Sequence, residues 1–274
     1  MHKNTIKEEF FYAHDDSEFY DDTIELTVPN FHLVYKTISD ILNFHFQYQY
    51  GDAYKEITGI ILDVGAGTGT ESISAMKELP NMHTLAIDIC EPMKNLYVKN
   101  YTRAFAGKKE KRFEYIVEDF RTISGDDERI NFYYKSLSQK ACKAAISAYC
   151  FHHFTYEEKK LAYQKVFDML EPGGIFVNLD VFTFNSPSVK KDAHLFDIDF
   201  IKRGFDNPNF EISKKVSREQ CEILKDKWVN HLNMHHLDSA EQDTEILKEI
   251  GFEDVECVLR YWHQGIVRAI KPIK

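Results

Sequence analysis

Asp63-Val64-Gly65-Ala66-Gly67-Thr68-Gly69 is the stretch that decides the fold. It closes TGIILDV (58–64), where apolar residues run together before a glycine cluster, the pattern of a buried strand. Glycines at alternate positions permit a tight turn and a close backbone approach to a ligand. A helix predicted over 71–79 opens just beyond, its first N–H groups pointing at whatever binds. The spacing also narrows the ligand. A dinucleotide fingerprint, G-x-G-x-x-G, needs its third glycine at 70; here that place is Thr70 and the third glycine is Gly69. The G-K-[ST] ending of a phosphate-binding loop is absent too, so the loop is not shaped around a pyrophosphate or triphosphate.

The same rhythm continues on both sides. Upstream, Phe31, Val34, Tyr35, Ile38, Ile41 and Leu42 recur at helical spacing. Downstream, 83–88 reads as a second strand, and a helix opens near Glu91-Pro92. Residues 113–117 read as a third strand and 144–149 as a fourth. A helix over 156–170, the Pro172-Gly173-Gly174 turn and a fifth strand over 175–182 follow. Alternating strands and helices predict a mainly parallel sheet covered on both faces. After Phe182 the pattern becomes mostly helical through 238, which reads as an insertion. A helix over 240–250 stops at Gly251, and a tight pair of strands, 252–259 and 262–270, ends the chain.

Composition bounds the rest. The 274 residues fit one large domain or a domain with a smaller addition. A net charge of −10 argues against a dedicated nucleic-acid binder, which must neutralise phosphates. The run at 108–112 (KKEKR) reads as a solvated loop. No stretch approaches the roughly 18 apolar residues of a membrane helix, and the N-terminus does not read as a secretory signal. Five scattered cysteines without a C-x-x-C pair suggest reduced thiols and a cytoplasmic location.

Two acids complete the reading of the loop. Asp88 ends the second strand, 19 residues beyond Gly69, where a carboxylate can accept from both hydroxyls of a ribose. Asp119, in Glu118-Asp119-Phe120 after the third strand, can accept from an adenine amino group, with Ile89 and Phe120 placed to sandwich the ring. At the ends of successive strands these residues make a nucleoside site.

The constellation resembles the class I S-adenosylmethionine-dependent methyltransferases. The residues that carry it are DVGAGTG (63–69), AIDI (86–89), EDF (118–120), SAYCFHHF (147–154) and LEPGGIFV (170–177). The resemblance implies an α/β, Rossmann-like, doubly wound seven-stranded sheet with its last strand antiparallel, here carrying an inserted helical cap. It implies S-adenosyl-L-methionine as cofactor, with Gly65 and Gly67 at the methionine end, Asp63 supporting the loop, Ala66, Gly69 and Tyr149 also at the cofactor, Asp88 on the ribose, and Asp119 with Phe120 on the adenine. The expected organisation is an N-terminal lid segment (1–30), the cofactor-binding core (31–182), the cap (183–238), and a C-terminal helix and strand pair completing the core (239–274).

Within that family, FYDDTIELTVPNF (19–31) and FIKRGFDNPNFEISKK (200–215) are similar to the carboxy-S-adenosylmethionine synthase subgroup, which modifies the cofactor itself for wobble-uridine modification of tRNA. In that subgroup a cap arginine binds the added carboxylate, and Arg203 falls near its place. Tyr149 stands where the subgroup uses an asparagine, and Phe31 where it uses a tyrosine. With two such departures the resemblance is read for architecture, including a cap and a capacity to form homodimers, rather than for that reaction.

An acceptor hydroxyl or protonated amine needs a base to take its proton. His152 and His153, past the fourth strand, and His263, at the start of the last, are the candidates; Phe31, Tyr149, Arg203 and Trp262 are the residues expected to meet the acceptor. No metal is expected. His231 and His235 share a helical face at i,i+4 spacing, but the run between them, Leu232-Asn233-Met234, lacks the glutamate of H-E-x-x-H. The expected function is methyl transfer to a small-molecule acceptor, with no membrane partner and nucleic acid disfavoured. The alternatives are a carboxy-S-adenosylmethionine synthase-like enzyme, a nucleic-acid or protein methyltransferase, and a non-catalytic module that binds the cofactor.

Overall fold

Strand β1, Gly59–Val64, is buried along its whole length, as a central strand covered on both faces must be. The computed structural model describes residues 19–108, 110–139, 141–232 and 237–273. Around β1 run β2 (Met82–Asp88), β3 (Phe113–Val117), β4 (Cys142–Ala148), β5 (Leu170–Val181), β6 (Glu253–Tyr261) and β7 (Gln264–Ile270). They form one sheet in the order β3-β2-β1-β4-β5-β7-β6. β1 pairs in parallel with β2 and with β4, and only the β7 pairings, to β5 and to β6, are antiparallel. Chain order reverses between β1 and β4, so a crevice opens there beyond the strand ends, the place where open α/β sheets bind ligands.

The helices are α1 (Tyr20–Thr23), α2 (Phe31–Tyr50), α3 (Thr70–Glu78), α4 (Glu91–Ala104), α5 (Glu128–Ser136), α6 (Tyr156–Met169), α7 (Pro187–Phe205), α8 (Ile212–Lys215), α9 (Arg218–His231) and α10 (Ala240–Ile250). Two compact units divide the chain. Residues 19–31 with 183–232 belong to one, and 32–182 with 237–273 to the other.

In the larger unit one core joins Ile60, Leu62, Leu85 and Ile116 of the sheet to Ile130 and Tyr133 of α5, Ala162 and Val166 of α6, and Ile246 and Leu247 of α10. A second core joins Ala86, Phe113 and Tyr115 to Ile73 and Met76 of α3 and to Tyr97 and Tyr101 of α4. The sequence reading left α5 out. Its signals are local: Asp127 caps it by accepting from the Arg129 N–H, and Ile130, Tyr133 and Tyr134 fall on one buried face. β5 also begins earlier than its apolar run suggests. Leu170 pairs with Cys142, the chain loops out through Pro172-Gly173-Gly174, and pairing resumes at Ile175 with Ala144. His45 and Gln49 of α2 hold the looped-out Gly173 carbonyl at 3.1 and 2.8 Å.

In the smaller unit the buried apolar residues are Ile24 and Leu26, Ala193, Ile201 and Phe205 of α7, Ile212 of α8, and Leu224 and Trp228 of α9. A Cβ at Gly204 would lie 3.0 Å from the Leu26 carbonyl oxygen, so a larger residue there would push α7 and residue 26 apart by a few tenths of an ångström. Lys215 pairs with Asp22 at 2.7 Å.

Candidate active site

The crevice is built from the glycine loop upward. The Gly65 N–H donates to the Ile87 carbonyl at 2.9 Å, and the Gly69 N–H to that of Ala66 at 2.8 Å. A Cβ on Gly65 would stand 2.5 Å from both Cβ and Sγ of Cys150, so the loop presses on the end of β4. Gly67 is different. Its φ is +46°, and a Cβ there would find nothing nearer than the Gly65 carbonyl oxygen at 3.9 Å. A side chain at 67 would therefore stand in the open crevice. Gly69, at φ +82°, starts α3, and its Cβ position is 2.5 Å from the Tyr97 ring.

Asp88, at the end of β2, tightens the turn. One carboxylate oxygen accepts from the Gly67 N–H and the other from the Cys90 N–H, each at 2.8 Å. Burial still raises its carboxyl, against the pull of those two bonds. Beneath the loop Asp63 is fully buried and Glu71 nearly so. Burial, with the Asp63 charge adding to it, holds Glu71 well above the usual carboxylate range. Ile89, half-buried, follows Asp88 directly.

Asp119 follows β3, its carboxylate gripped by the Arg121 guanidinium at 2.8–3.1 Å. Phe120 is buried, its ring among Ile116, Ile123 and Ile130. Across the reversal point, Tyr149 follows the end of β4, and its φ of +54° is a strained value for a bulky side chain. Its ring lies 6.2 Å from that of Tyr35. Burial pushes the Cys150 thiol well above its usual range, so it is not a thiolate nucleophile.

Two residues on, His152 is buried with Nδ1 2.6 Å from one oxygen of Asp180, while its backbone N–H donates to the other at 3.1 Å. Asp180 lies near the end of β5 and also accepts from the Val181 N–H at 2.9 Å. Burial raises its carboxyl to about 6, although the Lys159 charge pulls the other way. Lys159, itself buried, pairs with Asp238 at 2.9 Å and Asp243 at 3.1 Å, and Tyr163 donates to Asp243 at 2.5 Å. The half-buried His153 ring lies against that of His152, centroids 4.0 Å apart.

Residues 61–174 match the family model described as a methyltransferase domain. That segment is a methyltransferase domain of the class I S-adenosylmethionine-dependent kind. Curated relatives run nearly end to end with the chain. A carboxy-S-adenosyl-L-methionine synthase of Nautilia profundicola is 25% identical over 258 residues, covering 93% of this chain and 92% of the relative. One of Histophilus somni is 21% identical over 269 residues, covering 96% and 94%. Among solved structures, the S-adenosylhomocysteine-bound magnesium protoporphyrin IX methyltransferase of Synechocystis shares the fold at 12% identity, with a TM-score of 0.56 and 95% of each chain covered. An O-methyltransferase family protein of Burkholderia thailandensis does so at 14% identity and a TM-score of 0.58, over 95% of this chain and 61% of its own.

The cofactor of this methyltransferase is S-adenosylmethionine, and the crevice fits it on two counts. The open space at Gly67 is a cradle that a Cβ would fill. The second count is the set of buried acids at the loop: burial raises Glu71 and Asp88, and the cationic sulfonium of the ligand would favour their ionised form.

The structure gathers the loop glycines, Ala66, Asp63, Asp88, Ile89, Asp119, Phe120, Tyr149, His152 and His153 in the methyltransferase unit, at or beside the C-terminal ends of β1 to β4. His263 and Trp262 turn the hairpin between β6 and β7 in that same unit. His263 is buried and its carbonyl accepts from the Phe182 N–H at 2.6 Å; Trp262 is partly exposed and has φ +50°. Phe31, half-buried, and Arg203 belong to the smaller unit, where Arg203 is 67% exposed and paired with Asp199 at 2.8 Å. His235 lies outside the described residues. Sequence reasoning missed Asp180 and Arg121. Asp180 carried no signal, because only sheet order sets β5 beside β4; Arg121, two residues from Asp119, was legible as a local partner.

Proposed function

We propose that this chain methylates a small-molecule acceptor whose proton is taken by His152. The observation that carries the reading is the buried pair of His152 Nδ1 and Asp180, 2.6 Å apart. A carboxylate at Nδ1 holds the proton on that nitrogen, leaving Nε2 as acceptor, and stabilises the imidazolium that forms when Nε2 takes a proton. Bound S-adenosylmethionine supplies a methyl carbon made electrophilic by its sulfonium. The protein's share is to hold both partners and to receive the proton. Asp88 accepts from the ribose hydroxyls, Asp119 from the adenine amino group, and Gly67 leaves room for the methionine end. A net charge of −10 favours a small acceptor over a polynucleotide. Dispersed thiols favour a cytoplasmic enzyme. Among the described residues no helix is long and apolar enough to cross a membrane.

The test is a screen of hydroxyl- and amine-bearing metabolites for S-adenosylhomocysteine release, followed by His152→Gln and Asp180→Asn on the best acceptor. Turnover should fall by about 10²–10⁴-fold in His152→Gln, with S-adenosylhomocysteine affinity unchanged. Undiminished turnover, or affinity lost in step with it, overturns the base assignment.

The end-to-end coverage by carboxy-S-adenosyl-L-methionine synthases favours a second reading, modification of the cofactor itself. Tyr149 and Phe31 at two of that subgroup's positions count against it. Mass spectrometry of the cofactor after incubation with prephenate separates the two, since a carboxylated product would replace the methyl-transfer reading.

A further inference from the structure

We propose that Lys165 and Arg121 are positioning residues for the adenine end of the cofactor: they hold the loop after β3 so that Asp119 keeps one acceptor site, on Oδ2, for a single amino donor. The proposal rests on the reading of Asp119 as the adenine acceptor.

The loop has almost no regular structure of its own between β3 and α5, yet it is fastened at two points two turns apart on α6. The Lys165 ammonium donates to the carbonyls of Phe120 at 2.6 Å, Arg121 at 3.2 Å and Ile123 at 2.7 Å. An ammonium has three N–H groups, and all three are spent on this loop. The same nitrogen lies 5.1 Å from the centre of the Phe120 ring. At the other point Arg121 donates to Glu158 Oε1 at 3.0 Å. Glu158 is fixed in turn, because its Oε2 accepts from the N–H and the hydroxyl of Thr155, the residue that caps α6. The guanidinium also lies 5.3 Å from the Phe154 ring.

Held in this way, Arg121 fills most of the Asp119 carboxylate. Oδ1 accepts from the Arg121 backbone N–H at 2.9 Å and from Nε at 3.0 Å, which uses both of its lone pairs. Oδ2 accepts chiefly from the terminal nitrogen at 2.8 Å, with Nε lying 3.1 Å away. One lone pair on Oδ2 remains, and a carboxylate with one vacancy takes one N–H donor. An exocyclic amine satisfies it. A carbonyl in the same place, as in hypoxanthine, would set oxygen against a carboxylate and leave that lone pair unpaired, the situation in which polar sites discriminate most strongly. Lys165 needs no contact with the cofactor to matter: without it three carbonyls lose their donor and the loop that carries Asp119 is fastened to α6 at one point only.

The experiment compares S-adenosylhomocysteine with its deaminated analogue, S-inosylhomocysteine, by calorimetric titration of the full chain. Wild type should prefer the amino form by about a hundredfold. Lys165→Met keeps the stem over the Phe120 ring and removes the three donors. It should weaken S-adenosylhomocysteine by about tenfold, leave the inosyl analogue nearly unchanged and so narrow the ratio. Arg121→Gln should narrow it as well, and provides the reading if Lys165→Met does not fold. Equal weakening of both ligands in the variants, or an unchanged ratio, overturns the proposal. Asp119→Ala separates the two claims. If it leaves the preference intact, the adenine reading itself fails; if it abolishes the preference while the loop variants keep it, that reading stands and the proposal falls.

Discussion

Gly67→Ala and Gly69→Ala, two residues apart in one loop, should fail in opposite ways. At 67 the added methyl meets open space, with the nearest atom 3.9 Å away, so the fold bears only the left-handed backbone penalty of about 1–2 kcal/mol. In a chain of this size that is a fall in Tm of about 2–8 °C. The methyl, however, occupies the cradle. Overpacking against a bound ligand costs about 1–3 kcal/mol, so affinity for S-adenosylhomocysteine should drop by about 5- to 150-fold. At 69 the methyl arrives 2.5 Å from two carbons of the Tyr97 ring. That ring is fully buried, and its hydroxyl is bonded to Ser72 at 3.0 Å, so it has nowhere to swing. Overpacking adds about 1–3 kcal/mol to the backbone penalty, and the protein should lose stability before it loses its ligand. Thermal melts with and without S-adenosylhomocysteine, together with calorimetric titration, read both quantities. Affinity within twofold of wild type in Gly67→Ala would refute the placement of the cofactor. A Tm loss in that variant as large as in Gly69→Ala would refute the open-space argument.

Three further outcomes follow from the buried charges. Lys159→Met leaves Asp243 buried without its cation and should destabilise the core by about 3–5 kcal/mol in urea unfolding, whereas Lys160→Met, which breaks an exposed pair with Glu249, should change it by less than about 1 kcal/mol. Burial raises Asp243 from 3.8 to about 6, so its contribution to stability is fully present below pH 3.8 and is lost as pH rises through 6. The stability gap between wild type and Asp243→Asn should therefore narrow from pH 4 to pH 7, and a widening gap would contradict the assignment. Asp88→Ala removes the acceptor of the Gly67 and Cys90 N–H groups together with the proposed ribose contact, and should lower S-adenosylhomocysteine affinity by about a hundredfold or more; an effect below threefold would remove Asp88 from the site.

The architecture is legible in local patterning. A buried apolar run, a glycine loop and a helix start lie within a dozen residues of one another, and alternating strands and helices leave a parallel sheet as the solution that buries both faces. Asp88 and Asp119 were legible for the same reason: each ends or follows a strand that local patterning already marks. α5 was legible too, in its Asp127 cap and its Ile130-Tyr133-Tyr134 face, although it was passed over. What those side chains meet follows from the folded chain. His152 and Asp180 are 28 residues apart, and only the β4–β5 pairing brings them together. Lys165 looks like a surface lysine on α6 until the loop after β3 folds its carbonyls onto it. The Phe120 ring, apolar and beside Asp119, reads in sequence as a wall for a base, and the fold sets it in one cluster with Ile116, Ile123 and Ile130, neighbours that sequence order alone does not name. Periodicity and turn chemistry act within a window of residues, whereas these partners are chosen by sheet order and packing across the whole chain.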